Sequence, residues 1–117
     1  MKISGEFGKI VIDGKEYSKD IVINKGKIEK RKKKVSKEFK EKSGHTPLTD
    51  KEDIPWKCKT LLIGTGFEGA LPIDEKVSKK ASKKGVELKI MKTGDLINHI
   101  NELENMNDIN AIIHITC

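Results

Sequence analysis

The strongest constraint on the fold is a change of pattern near residue 60, where hairpin signals give way to alternating strand and helix signals. Beyond that point, short apolar runs at 60–63, 86–90 and 111–116 alternate with amphipathic stretches at 72–84 and 93–105. Strands that alternate with helices join as parallel βαβ units. The second half therefore predicts parallel strands bracketed by two helices.

The first part of the chain predicts an antiparallel meander between residues 9 and 31. Asp13-Gly14 separates two strand-like runs and supplies the positive φ of a two-residue hairpin turn. Residues 20–23 form a further β-branched run, which Asn24-Lys25-Gly26 turns into residues 27–31. With the second half, this predicts one α/β domain.

The middle of the chain predicts short helices within an ordered connection. Ser36 is placed to cap a helix that runs through Phe39 and ends at Gly44. Residues 49–52 have the spacing of a capping box, although Pro55 stops such a helix within about one turn.

Length and composition limit the classes of protein. The 117 residues allow a single domain over 1–117, and two cysteines cannot form a disulfide framework. Apolar runs fall far short of the ~20 residues of a membrane span, and the opening residues lack the apolar core of a signal peptide. We expect a cytoplasmic protein with no membrane partner. The spacings of histidine and cysteine match no metal motif, so we expect neither a metal nor a cofactor.

The positive charge is concentrated in one strip, residues 25–42, which holds ten basic and three acidic side chains. The strip carries +7, and the rest of the chain sums to −1. Such a strip attracts polyanions by counterion release, and we expect binding that is weak, non-specific and sensitive to salt. The alternative is an edge strand whose lysines block pairing with other chains. The candidate polyanion-binding residues are Lys30, Arg31, Lys32, Lys33 and Lys34.

The segment 64–69, Gly-Thr-Gly-Phe-Glu-Gly, follows a predicted buried strand and matches the pattern G-x-G-x-x-G. In a dinucleotide-binding fold such glycines let backbone amides approach a pyrophosphate. Pro72 delays the following helix, and the acidic residues about 20 positions on are poorly placed, with Glu87 in mid-strand and Asp95 past the end of the strand, so a dinucleotide is disfavoured. A small anion held by Gly64, Thr65, Gly66 and Gly69, or a purely structural turn, remain the alternatives.

Three polar residues later in the chain are candidates for the same cleft: Lys92, Asp95 and His99. Asp95 and His99 are four residues apart on a predicted helix, which places a carboxylate and an imidazole on one side. Such a pair can act as a general base with its orienting group, although a surface pair is the more common outcome. Catalytic residues are not identified by the sequence.

Three segments together resemble the small Mth-type domain proteins, a family that includes an adipogenesis-associated protein and an assembly factor of mitochondrial complex I. They are residues 7–17 with 20–23, residues 61–66 with Gly69, and residues 111–117. The resemblance implies a compact α/β domain with two packed β-sheets, helices on one side, and a cleft near Gly64-Thr65-Gly66. It carries over no catalytic residues.

Three functions follow from these observations. The first is a non-catalytic binding or assembly domain that presents the cleft to an unknown protein partner. The second is an enzyme or a small-anion binder acting at the turn 64–69. The third is weak nucleic-acid binding through the strip 25–42.

Overall fold

A computed structural model describes residues 1–39 and 46–117. Its main element is a five-stranded sheet in the order β5-β4-β8-β6-β7. The strands are β4 (Ile21–Asn24), β5 (Lys27–Lys30), β6 (Thr60–Thr65), β7 (Glu87–Met91) and β8 (Ile109–His114). β6 pairs in parallel with both β7 and β8, whereas β4 pairs antiparallel with β5 and β8. The predicted parallel strands are thus confirmed, and β5 lies at the edge.

A second, three-stranded antiparallel sheet contains β1 (Ile3–Glu6), β2 (Lys9–Ile12) and β3 (Lys15–Tyr17). Asp13 and Gly14 both have positive φ, as the predicted hairpin turn requires. The predicted single meander is wrong in one respect, because the chain changes sheets between Tyr17 and Ile21. The hairpin of β4 and β5 joins the large sheet, where β4 pairs with β8.

The two helices, α1 (Glu75–Lys84) and α2 (Thr93–Glu102), lie on opposite faces of the large sheet. Val77 and Ala81 of α1 share a core with Leu61 and Ile63 of β6. Neighbouring residues of a strand point to opposite faces, and Leu62 accordingly packs in the other core, with α2 and the small sheet. The expectation of helices on one side is therefore wrong.

The direction of the connections explains this placement. The chain crosses from β6 to β7 in one direction along the sheet and then returns past β6 to β8. Crossovers between parallel strands are right-handed, so a reversal of direction moves the second helix to the opposite face.

Both helices are shorter than predicted. Residues 72–74 pair with the connection that precedes β6 (residues 46–59) instead of joining α1. Ile73 forms a parallel bridge with Leu48, and the Pro72 carbonyl accepts from the Leu48 amide. Asp74 then caps α1 by accepting from the Lys76 amide. α2 ends at Glu102 rather than near residue 105, since Leu103 is already extended.

The connection from 46 to 59 covers the α1 face with Leu48, Ile54 and Trp56. The predicted helix at Ser36 is a 3-10 helix, Lys34–Phe39, whereas residues 49–52 form a turn and no helix. The predicted helix end at Gly44, as well as His45, Lys40 and Lys42, lies outside the described residues. In the described part of the chain, neither helix has the length and apolarity to cross a bilayer.

Candidate functional site

Polar groups gather at the edge of the large sheet where the three parallel strands end. His114 ends β8 and Thr65 ends β6 at this edge. Asp20 lies there too, because β4 runs antiparallel to β8 and its first residue, Ile21, lies opposite Ile113. The carboxyl ends of parallel strands are the usual ligand-binding edge of an α/β sheet.

A buried ionic cluster of Asp20, Arg31, Glu52 and His114 occupies this edge. Arg31 Nε and Nη2 donate to the two carboxylate oxygens of Glu52 at 2.8 and 2.9 Å, and Nη1 donates to Asp20 Oδ2 at 2.9 Å. His114 Nδ1 lies 2.8 Å from the same Asp20 oxygen. Arg31 is only 3% exposed and His114 6% exposed, so these charges are largely removed from water.

Further hydrogen bonds tie the cluster to the surrounding chain. Ser36 Oγ donates to Glu52 Oε2 at 2.7 Å and lies 2.6 Å from Thr49 Oγ1. Arg31 Nη2 also donates to the Pro47 carbonyl at 3.1 Å. Across the described part of the chain, every fully buried side-chain nitrogen or oxygen has a hydrogen-bond partner. The cluster therefore joins the edge of the sheet, the 3-10 helix and the connection.

The surroundings of Asp20 keep its carboxylate ionised. Burial raises its pKa, but the hydrogen bonds from His114 and the Ile115 amide and the charge of Arg31 together hold the pKa below its ordinary value. Burial similarly lowers the pKa of Arg31, and Glu52 and Asp20 outweigh it and raise the pKa above its ordinary value.

Thr116 extends the cluster towards the surface. Its Oγ1 lies 3.1 Å from His114 Nε2, on the opposite side of the ring from Asp20. Thr116 is half-buried, and its backbone is held because its carbonyl accepts from the Phe67 amide at 2.8 Å. The three side chains Thr116, His114 and Asp20 thus form a continuous row.

A groove with a volume of about 570 Å³ opens directly over this row, and we call it the basic groove. Asp20, Arg31, Ile115 and Thr116 are among its lining residues. Its other charged lining residues are Lys19, Lys30, Lys32, Lys33, Lys34 and Lys37. Among the described residues, none of these lysines is paired with a carboxylate. As far as the described residues show, the groove therefore presents a positive wall whose lysines are not paired with carboxylates.

The predicted polyanion-binding residues divide into two groups. Lys30, Lys32, Lys33 and Lys34 line the basic groove. The prediction that Arg31 binds polyanions is wrong. Although Arg31 borders the groove, its guanidinium is buried and neutralised by two carboxylates. Only the lysines are free to meet an external anion.

The predicted turn 64–69 is filled by the protein's own backbone. The Gly66 amide donates to Thr93 Oγ1 at 2.9 Å, and the amides of Glu68 and Ala70 donate to the backbone oxygen of Cys117. Thr93 Oγ1 also donates to the His114 carbonyl at 2.6 Å, so it bridges the ends of β6 and β8 and caps no helix. An anion at this turn would have to displace these bonds.

The structure brings only some of the predicted cleft residues together. Gly64, Thr65 and Gly66 lie beside the start of α2, and the Lys92 side chain packs over Gly69. Asp95 is exposed and His99 half-buried. Both lie on α2 four residues apart, and within the described residues they are joined by neither a hydrogen bond nor an ion pair, so a role for the pair as a general base with its orienting group stays a prediction.

Sequence reasoning missed several residues of this edge: Asp20, Glu52, His114 as a partner of Asp20, and Thr116. A signal for His114 was present, because a histidine inside the apolar run 111–115 must find a polar partner when it is buried. For metals, the described residues contain no group of three or more His, Cys, Asp or Glu side chains placed to hold an ion.

A second basic surface, the lysine stripe, lies on α1 and was also missed. Its members follow the spacing i, i+3, i+4, i+7, i+8, which places them on one helix face. They are Lys76, Lys79, Lys80, Lys83 and Lys84, and with Asp50 they line a groove of about 630 Å³.

Comparison with known proteins assigns the family. Residues 4–114 match the model of the proteins of unknown function DUF498/DUF598, and the chain belongs to this family. No curated protein matches it significantly. A crystal structure of a conserved hypothetical protein, PH1505 from Pyrococcus horikoshii OT3, is 34% identical over 100% of both chains, with a TM-score of 0.82. A structure titled MT938 is 24% identical over 99% of this chain and 98% of its own, with a TM-score of 0.75, and shows the shared fold.

Proposed function

We propose that this chain is a binding domain that takes a small anionic ligand in the basic groove. The observation that supports this most is the positive wall of lysines at the carboxyl ends of the parallel strands, where none of them is paired with a carboxylate among the described residues. A volume of about 570 Å³ lies within the range of small-molecule sites, which is roughly 300–1,000 Å³. The turn 64–69, which the sequence predicted as the site, lies at the same end of the sheet, but its amides already donate hydrogen bonds within the protein.

The buried ionic cluster supports the proposal by fixing the floor of the groove. Its bonds join Asp20 to Arg31 and Arg31 to Glu52, so the segments that carry Lys19 and Lys30–Lys34 are held relative to each other and to the connection. The lysines themselves are long, mobile point charges, which suit a phosphate or carboxylate better than a neutral ligand.

The test is calorimetric titration with inorganic phosphate and with pyrophosphate at low salt. The variant K32A/K33A/K34A removes three positive charges from the groove. The matched control K76A/K79A/K80A removes three from the lysine stripe. We expect the groove variant to bind at least about tenfold more weakly and the control to bind as the parent does. Equal losses in both, or no binding by the parent at millimolar anion, would reject the proposal.

A second candidate function is weak binding of nucleic acid, favoured by the lysine stripe. A helix face of evenly spaced lysines contacts phosphates without reading bases. In this case the control K76A/K79A/K80A should reduce retention of a DNA duplex more than the groove variant does. Retention should fall steeply as salt rises from 50 to 200 mM.

The non-catalytic assembly role that the resemblance to Mth-type domains implies is a third proposal. It is supported by the edge strand β5, because no strand of the described residues pairs with its outer side and an extended segment of a partner could do so. A protein that occupied this edge would protect the β5 amides from hydrogen exchange, whereas phosphate in the basic groove would leave them exchanging.

A further inference from the structure

We propose that Thr116, His114 and Asp20 form a catalytic triad that hydrolyses acyl esters carrying a negative charge. The acyl substrate would lie in the basic groove, so its recognition rests on the proposed function. Thr116 Oγ1 lies 3.1 Å from His114 Nε2, and His114 Nδ1 lies 2.8 Å from Asp20 Oδ2. A hydroxyl, an imidazole and a carboxylate in this order provide a nucleophile, a general base and an orienting group.

The orienting group is held firmly. Asp20 Oδ1 accepts from the Ile115 amide at 3.0 Å, and Oδ2 accepts from Arg31 Nη1 at 2.9 Å. A carboxylate at Oδ2 fixes the proton of His114 on Nδ1. The lone pair of Nε2 then faces the Thr116 hydroxyl, which is the tautomer that a general base needs.

The charges around the ring favour the proton transfer. Asp20, Glu52 and Arg31 together carry −1, and they are all buried beside or near His114. An imidazolium formed on His114 would bring the cluster to neutrality. The lysines of the basic groove face the substrate side, where they can stabilise both its anionic group and an oxyanion.

The two residues also differ in their exposure to the groove. His114 is 6% exposed, whereas Thr116 is half-buried and lines the groove. The Phe67 amide holds the Thr116 carbonyl, which fixes the backbone that carries the hydroxyl. A substrate in the groove would therefore meet the hydroxyl and not the ring.

The reaction balances with water as the only co-reactant. Thr116 Oγ1 attacks the acyl carbon and its proton passes to His114 Nε2. The bond to the leaving oxygen then breaks, and His114 returns the proton to the leaving alcohol. Water, deprotonated by His114, next attacks the ester on Thr116, releases the acid and restores the threonine.

The test compares an anionic ester, mono-4-nitrophenyl succinate, with neutral 4-nitrophenyl acetate. We expect the parent to release 4-nitrophenol faster than buffer does, with the higher kcat/KM for the anionic ester. T116V and H114N should each lower kcat/KM by about 100-fold or more, and T116S should retain most of it. Mass spectrometry of quenched protein should find the acyl group on Thr116, a signal that a structural role of Thr116 does not give.

Three outcomes separate this proposal from the proposed function. Phosphate binding by the parent, together with hydrolysis that T116V and H114N lose, supports both. Phosphate binding without hydrolysis above buffer, or with hydrolysis unchanged in T116V, rejects the triad alone. If phosphate does not bind but Thr116-dependent hydrolysis of 4-nitrophenyl acetate remains, the anionic specificity fails and the groove proposal fails with it. Thermal unfolding of each variant confirms that it is folded.

Discussion

Arg31 shows how one side chain can differ from neighbours of the same charge. It lies within the run Lys30–Lys34, yet among these residues it alone is buried. Its planar guanidinium donates to both oxygens of Glu52 while it also reaches Asp20. A lysine ammonium cannot make this two-pronged contact, so the position requires arginine.

Replacement of Arg31 by methionine should therefore make the folded protein much less stable. R31M keeps an unbranched apolar chain but leaves Asp20 and Glu52 buried without their cation. We expect the free energy of unfolding in urea to fall by about 3–5 kcal/mol. The matched change K32M, at an exposed neighbour, should alter it by less than about 0.5 kcal/mol. Similar values for the two variants would show that the cluster adds no stability.

Asp20 should make the protein sensitive to acid. Its pKa in the folded state is below its ordinary value, so below about pH 4 the unfolded chain binds more protons at this residue. The stabilisation that Asp20 contributes is complete above that pH and is lost as the pH falls through the folded pKa.

The pH prediction is checked by urea unfolding between pH 2 and 6. D20N should be less stable than the parent at neutral pH, and its stability should decrease less between pH 4 and 2. D95N, a change at an exposed carboxylate, should follow the parent curve. A parent-like acid slope in D20N would contradict the argument.

The sequence does not show that Arg31 is buried. A buried arginine within a run of lysines has no local signature, because its partners are 11 and 21 residues away. The same applies to Glu52, whose spacing to Thr49 predicts a capping box. In the structure its carboxylate bonds mainly with Arg31 and Ser36, and only weakly with the Thr49 amide.

The turn after β6 is tightly enclosed by the end of the chain. A Cβ on Gly66 would lie 2.2 Å from the Cys117 carbonyl carbon and 2.8 Å from a ring carbon of His114. Gly66 also has φ of +99°, which residues with a side chain rarely adopt. A glycine is thus needed at this position for its positive φ and because residues 114–117 pack directly against it.

These two requirements can be separated by comparing Gly66→Ala with Gly26→Ala. Gly26 has φ of +80° but open space around its Cβ position, so its replacement costs only the backbone strain of roughly 1–2 kcal/mol. Gly66→Ala should cost about 1–3 kcal/mol more, because the Cβ displaces residues 114–117. Chemical unfolding of both variants measures this difference. Equal losses of stability would show that residue 117 moves aside at no cost.

The sequence allowed the order and type of most regular elements to be predicted, since hydrophobic periodicity and hairpin turns are local, but β1 was not predicted and residues 49–52 form a turn. The ends of the elements depend on distant partners. Pro72 is a good first residue of a helix, but Leu48 pairs with residues 72–74 and delays α1. Thr93 has the chemistry of a cap and instead bridges Gly66 and His114.

For the whole molecule, the large sheet separates two cores that share strand β6. Leu62 belongs to the core with α2 and the small sheet, whereas Leu61 belongs to the core with α1. Since both side chains leave the same strand, neither core can open without disturbing the other. We infer that the chain unfolds as one unit.

Leu61→Ala and Leu62→Ala test this coupling. Each should lower the free energy of unfolding by about 2–5 kcal/mol. Trp56 is the single tryptophan and packs against the core that contains Leu61. In both variants its fluorescence should change at the same urea concentration as the circular dichroism. Two separate transitions in Leu62→Ala would show that the cores unfold independently.

The lysines of the edge strand β5 have a consequence for the colloidal behaviour of the protein. Among the described residues no strand pairs with the outer side of β5, and Lys27 and Lys30 protect this edge by charge. Charge repulsion acts over about 10 Å at 0.1 M salt and about 3 Å at 1 M. Salt should therefore weaken the attraction of ligands to the basic groove and, at the same time, let copies of the chain approach edge to edge. The solution condition that suppresses ligand binding is the one that favours self-association.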